Sequence, residues 1–187
     1  MSPGPVPAWP LALFLAALAA QRAHELALSA RNGRALRARG AREVGARHFP
    51  LIVAVHALFP ACLVAEVLAL GARPGPAWPL WLALVLGAQA LRAAAMRALG
   101  PLWSVRVWEV PGQAPVRRGP YRLLRHPAYL AVTLELLAAP LMFGAWRTAA
   151  ALAALNLAAL APRIRAEEAV LAGAAGHPRA PAERATA

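Results

Sequence analysis

Long, nearly unbroken apolar runs constrain this chain more than any motif does. Trp9–Ser29, Phe49–Leu70 and Trp78–Leu99 each approach the ~20 residues that an α-helix needs to cross a bilayer. Hydrophobic residues make up 60% of the 187 residues and charged residues 15%, with mean hydropathy +0.50; soluble domains average about 45–50% hydrophobic. An alanine-rich soluble bundle is the competing reading, and the length of the runs argues against it. The expected fold is all-α, a polytopic helical membrane protein with about five transmembrane helices. One domain fits residues 1–176, followed by a disordered tail at 177–187 rich in Pro, Ala and Arg.

Two shorter spans are expected over Pro127–Phe143 and Arg147–Pro162, joined by the turn Phe143-Gly144-Ala145-Trp146. Pro60 interrupts the second span, which neighbouring helices accommodate in lipid. Trp78, Pro79 and Trp81 open the third as an interfacial belt, and Pro127 suits a helix's first turn. The N-terminal run ends in small residues, as signal peptides do. No charge precedes Arg22, however, so the segment is expected to remain as a helix.

The net charge is +12 and all 20 basic residues are Arg. They sit between apolar segments, not along one amphipathic face, which speaks against nucleic acid and for juxtamembrane placement. Six lie in Arg31–Arg47, five in Leu102–His126 and four beyond Ala161, while the opposite face carries only Arg73 and Arg147. The positive-inside rule then puts the N-terminus outside and the C-terminus in the cytosol, in a bacterial inner membrane. Cys62 is the only cysteine, so no internal disulfide or metal–thiolate cluster can form, and no metal site is expected. No G-x-G-x-x-G follows a predicted strand, so any nucleotide-like cofactor must be held by loops and helix ends.

Polar chemistry gathers in two places on the expected cytosolic side. Gly119-Pro120-Tyr121-Arg122-Leu123-Leu124-Arg125-His126-Pro127-Ala128-Tyr129 precedes the fourth span. Pro111, Gly112, Pro115, Gly119 and Pro120 keep the connection before it out of regular helix. Tyr121 and Tyr129 offer ring faces that suit a purine or a sulfonium cation. Pro127 restricts His126 to an extended backbone, where its imidazole can exchange a proton near neutral pH, and Arg125 can meet a carboxylate. The same residues also suit a plain headgroup anchor. The second cluster, Arg163-Ile164-Arg165-Ala166-Glu167-Glu168, puts Arg163 and Glu167 on one helical face. Asn156 lies two turns up that stripe, so the three would line a groove for an amphiphile, with Glu168 solvated; an ordinary helix-end charge pair is the plainer reading. Within the spans, Arg92 and Glu135 are expected to pair, because an unpaired charge there costs at least ~2.5–3.5 kcal/mol. His56 reads as structural and does not share a face with Glu66.

Gln113–Tyr129 together with Arg163–Glu167 resembles the isoprenylcysteine carboxyl methyltransferase family, and more loosely the membrane phospholipid methyltransferases. Glu25-Leu26-Ala27-Leu28-Ser29-Ala30-Arg31-Asn32, Arg39-Gly40-Ala41-Arg42-Glu43 and His48-Phe49-Pro50 resemble its small bacterial branch. The resemblance implies methyl transfer from S-adenosyl-L-methionine to a carboxylate or hydroxyl of an amphiphilic or lipid acceptor. It implies cofactor contacts at Gln113, Ala114, Pro115, Val116, Tyr121, His126, Pro127, Ala128, Tyr129 and Glu167. Arg163 would meet the acceptor and act in catalysis, with Asn156 beside it in the stripe. Gln113 and Pro115 stand where the family often has His and Leu, which leaves backbone contacts there. Small bacterial members are associated with alkylpyrones and alkylresorcinols, whereas the family name implies a prenylated-cysteine carboxylate. The rival readings are an NADPH-dependent reductase of the sterol-reductase type, a phospholipid N-methyltransferase, and a membrane scaffold or small transporter.

Overall fold

A computed structural model describes residues 8–175; the tail expected at 177–187 lies outside the described residues. Five α-helices dominate: α1 (Trp9–Ala38), α2 (Phe49–Val64), α3 (Trp78–Leu99), α4 (Pro127–Met142) and α5 (Trp146–Ala175). Four helical segments, Trp9–Ala38, Ala46–Ala69, Trp78–Leu102 and Trp146–Gly173, are long and apolar enough to cross a membrane. The fifth, α4, has 16 residues and spans about 24 Å, short of the ~30 Å hydrocarbon core.

Two helices outrun their expected ends. The first continues past Ser29 to Ala38, and the last runs through Pro162 to Ala175. Nothing between Ser29 and Ala38 stops a helix except Gly33, since Ala, Arg and Leu are good helix formers. Gly33 sits close under the Trp108 ring, where a Cβ would make a tight 3.3 Å contact. The second polar cluster therefore sits on the same helix as the fifth span. Pro60 lies inside α2, which loosens into a π turn at Ala65–Ala69.

One element was not expected from the sequence. Strands β1 (Arg42–Val44) and β2 (Val107–Glu109) pair antiparallel, with Arg42 opposite Glu109 and Val44 opposite Val107. They tie the connection after α1 to the connection after α3 at one end of the bundle. At the other end, the Gly144 turn packs on the backbone of Arg73.

The core is built from small and aromatic side chains. Ala131, Ala138, Ala139, Ala145 and Ala159 are fully buried, which lets α4 and α5 approach closely. Phe14 packs on Phe59 and Phe143, at ring-centroid distances of 6.3 and 5.5 Å. The expected Arg92–Glu135 pair forms and is part of a larger network. Glu135 also accepts from Arg22 at 2.5 Å and Gln89 at 3.2 Å, and Glu25 accepts from Arg22 at 2.8 Å and Arg92 at 3.2 Å. His56 bonds the Ile52 carbonyl at 2.8 Å. Glu66 instead caps α5, accepting the Thr148 amide at 2.6 Å and the Arg147 amide at 3.1 Å.

Candidate functional site

Gly119 (φ +56°) opens the loop that leads to the site, and a Cβ there would meet Ala98 at 3.2 Å. A short 3-10 turn over Gly119–Arg122 follows, and His126, just before Pro127 starts α4, has φ −131° and ψ 62°: proline keeps it out of the helical region, but it is less extended than the sequence suggests. The His126 ring stacks on Tyr129 one turn later, with centroids 5.3 Å apart and planes 16° apart.

The imidazole lies between two consecutive carboxylates of α5. Nε2 donates to Glu168 Oε1 at 2.6 Å, while Nδ1 stands 3.6 Å from Glu167 Oε2, beyond hydrogen-bond reach. Glu168 also pairs with Arg125 at 2.5 Å. Glu168 was expected to be solvated; in the fold it anchors the loop, because His126 approaches α5 with both ring edges. Glu167 first, and then Glu168, raises the His126 pKa above its ordinary value against the effect of burial.

Arg163 and Glu167 share a helical face, yet they meet through Tyr129 and not each other. Arg163 Nε donates to the Tyr129 hydroxyl at 2.9 Å, and that hydroxyl donates to Glu167. Arg163 Nη2 donates to the Val105 carbonyl at 2.6 Å, which ties the helix to the segment before β2. Burial, reinforced by Glu167, raises the Tyr121 pKa, so its phenol stays neutral.

These groups open on one cavity of about 480 Å³. Gln113, Ala114, Pro115, Val116, Tyr121, His126, Ala128, Tyr129, Arg163 and Glu167 all line it. Two expected members do not. Pro127 is buried at the helix start, and Asn156 is fully buried, donating to Thr133 Oγ1 at 3.0 Å, with no partner for its own Oδ1 among the described residues. Asn156 thus shares the stripe with Arg163 but packs between α4 and α5, well inside the bundle. Sequence reasoning missed a whole wall formed by Trp103, Ser104, Arg106, Val107 and Trp108. The apolar–polar alternation Trp103-Ser104-Val105-Arg106-Val107, running up to the first residue of β2, is the signal that marks this segment. Leu99, Leu102, Val170 and Leu171 give the cavity an apolar side.

The model of the isoprenylcysteine carboxyl methyltransferase (ICMT) family matches residues 81–173, which include most of α3, the loop, α4 and the site-bearing part of α5. A Bacillus subtilis (strain 168) protein, YpbQ, described as uncharacterized, is 38% identical over 159 residues, covering 85% of this chain and 95% of its own. An uncharacterized Haemophilus influenzae protein is 28% identical over 160 residues, covering 85% of this chain and 93% of its own. No solved structure gives a significant match.

Proposed function

Since the chain belongs to the isoprenylcysteine carboxyl methyltransferase family and is a membrane methyltransferase, we propose that it moves a methyl group from S-adenosylmethionine to an oxygen of an amphiphilic acceptor. The observation that carries this reading is the convergence of His126, Tyr129, Arg163 and Glu167 on one cavity with an apolar side.

The residues present fit the cofactor. Glu167 is an anion suited to an α-ammonium group, and the rings of Tyr121 and Tyr129 suit a sulfonium. His126 Nδ1 is buried and has no hydrogen-bond partner among the described residues; it can donate from the protonated ring or accept in the neutral one. Residues Gln113–Val116 line the same cavity, where backbone groups such as the Ala114 and Val116 amides could meet the cofactor. When bound, S-adenosylmethionine supplies an already activated methyl group, which leaves alignment and exclusion of water to the protein.

Arg163 supplies the other half of the argument. Its Nε and Nη2 are held by Tyr129 and Val105, and among the described residues Nη1 has no acceptor. That guanidinium edge suits an anionic oxygen, a carboxylate or a phenolate or enolate, which needs little help from a general base. Leu99, Leu102, Val170 and Leu171 suit the acceptor's hydrocarbon tail. A prenylated-cysteine carboxylate and an alkylpyrone or alkylresorcinol polyketide lipid both combine such a head and tail. The arginine-rich end of the bundle faces the cytosol in this reading, with the N-terminus outside a bacterial inner membrane.

The test is methyl transfer from radiolabelled S-adenosylmethionine by the protein reconstituted in nanodiscs. A membrane lipid extract and three defined acceptors are offered: a long-chain alkylpyrone, an alkylresorcinol and N-acetyl-S-farnesylcysteine. Label in an O-methyl product, lost in Glu167→Ala, is the expected result. Saturable NADPH binding with no S-adenosylmethionine binding overturns the reading in favour of a reductase. Label in a phospholipid amine points to N-methylation instead.

A further inference from the structure

The motif Glu25–Asn32 lies on α1, outside the residues 81–173 matched by the family, and the proposed reaction gives it no task. Two of its residues hold the wall of the cavity. Asn32 Nδ2 donates to the Trp103 carbonyl at 2.8 Å and to the Gly100 carbonyl at 3.3 Å. Ser29 Oγ accepts the Val105 amide proton at 3.1 Å and lies 3.0 Å from Ser104 Oγ.

The direction of that last bond follows from counting lone pairs. Ser104 Oγ already accepts from Arg106 N–H at 3.0 Å and from Trp108 Nε1–H at 3.1 Å. A hydroxyl has two acceptor sites and one proton, so Ser104 gives its proton to Ser29. The Arg106 N–H and the Val105 carbonyl belong to one rigid peptide plane. One edge of that plane is fixed on Ser104, and the other receives Arg163 Nη2 at 2.6 Å. Ser29 and Ser104 are themselves buried or half-buried on this path.

We propose that Ser29 is a positioning residue for the acceptor. Acting through Ser104 and the Val105–Arg106 peptide, it sets the direction of the Arg163 guanidinium without touching acceptor or cofactor. This assignment rests on the reading that Arg163 meets the acceptor. Removing the Ser29 hydroxyl leaves both the Val105 amide and the Ser104 proton without their acceptor, so the peptide plane can turn and carry Arg163 with it. Glu167 joins this path only through the Tyr129 hydroxyl, and its own bond from Tyr129, like the His126 contact with Glu168, needs neither Ser29 nor the Val105–Arg106 peptide.

The experiment is steady-state kinetics in nanodiscs with the best methylated of the three defined acceptors. In Ser29→Ala the acceptor KM rises about tenfold, the signature of lost binding and not of lost chemistry. Its Kd for S-adenosylmethionine, by calorimetry, stays within about twofold of the wild type. Ser29→Thr, which keeps the hydroxyl, restores the KM. In an Arg163→Lys background, Ser29→Ala adds nothing further, because coupled residues are not additive. Should Ser29→Ala fail to fold, Ser104→Ala breaks the same path and raises the same KM. An unmoved acceptor KM, or equal losses for acceptor and S-adenosylmethionine, overturns the assignment alone. A wild type that methylates neither the defined acceptors nor any component of the lipid extract overturns the proposed function, and this assignment with it; if only an extract lipid is labelled, that lipid replaces the defined acceptor in the kinetics.

Discussion

Tyr129 on α4 donates its hydroxyl proton to Glu167 on α5 while accepting from Arg163 at 2.9 Å, so one phenol orients both charged residues of the candidate site. Tyr129→Phe keeps the ring that stacks on His126 and removes only this link. Hydrogen bonds to charged groups contribute about 1.5–3 kcal/mol. The expected outcome is an S-adenosylmethionine Kd weakened by about tenfold or more, with thermal stability lowered only slightly. Calorimetric titration of the purified variant checks it.

The His126 imidazole carries a raised pKa because Glu167 and Glu168 favour its protonated form. The unfolded chain titrates near the ordinary ~6.5, and the folded value lies above it. Below the unfolded value both states bind the proton, and the ion pairs contribute their full stabilisation. That contribution disappears as pH rises through the folded value. The difference in Tm between wild type and His126→Asn should therefore shrink as pH increases between about 5.5 and 8.5. A difference that grows with pH contradicts the assignment.

The bounds of α3 were legible because Pro79 near its start and Gly100 after its end punctuate an apolar run. The ends of α1 and α5 were not, because hydropathy reports where lipid stops and not where helix stops. Arg31 and Arg163 end the apolar stretches, but Ala, Leu and Arg continue the helix. Most of the site could be placed because Arg-His-Pro-x-Tyr and Arg-x-x-x-Glu are local patterns. What joins them is tertiary: the three-residue strands, the Ser29–Ser104 contact and the docking of His126 between Glu167 and Glu168. No spacing rule predicts that a residue one position along a helix from Glu167 reaches the other side of the same ring.

In the bundle interior, Glu25 and Glu135 face Arg22 and Arg92 in a closed ring of opposite charges. Glu135 is fully buried and Arg92 nearly so. Glu135→Leu leaves two guanidinium groups with one carboxylate, in a medium where charge is costly. Removing one partner of such a buried set costs about 3–5 kcal/mol. A substantially lowered Tm in detergent is expected, with S-adenosylmethionine affinity of the folded fraction unchanged. An unaltered Tm means the ring contributes nothing net.

Gly144 closes the α4–α5 turn with φ +77°, and a Cβ built on it would lie 1.9 Å from the Arg73 carbonyl oxygen. The obstruction is backbone, so no side-chain rotation relieves it. Gly144→Ala combines this overlap with left-handed strain, which alone costs on the order of 1–3 kcal/mol at a residue bearing a Cβ. The turn must then open, and the Glu66 cap on Thr148 (2.6 Å) is pulled apart with it. The site residues begin 17 positions beyond the start of α5 (163 − 146), about 25 Å along the helix axis, so they are untouched directly. The expected outcome is a large fall in Tm and in yield, with S-adenosylmethionine Kd unchanged in whatever folds. Gly75→Ala is the matched control, since nothing lies within 4 Å of its Cβ position and its φ is ordinary. Its Tm should stay at the wild-type value, and equal losses in the two variants would show that the contact with Arg73 is not what Gly144 serves.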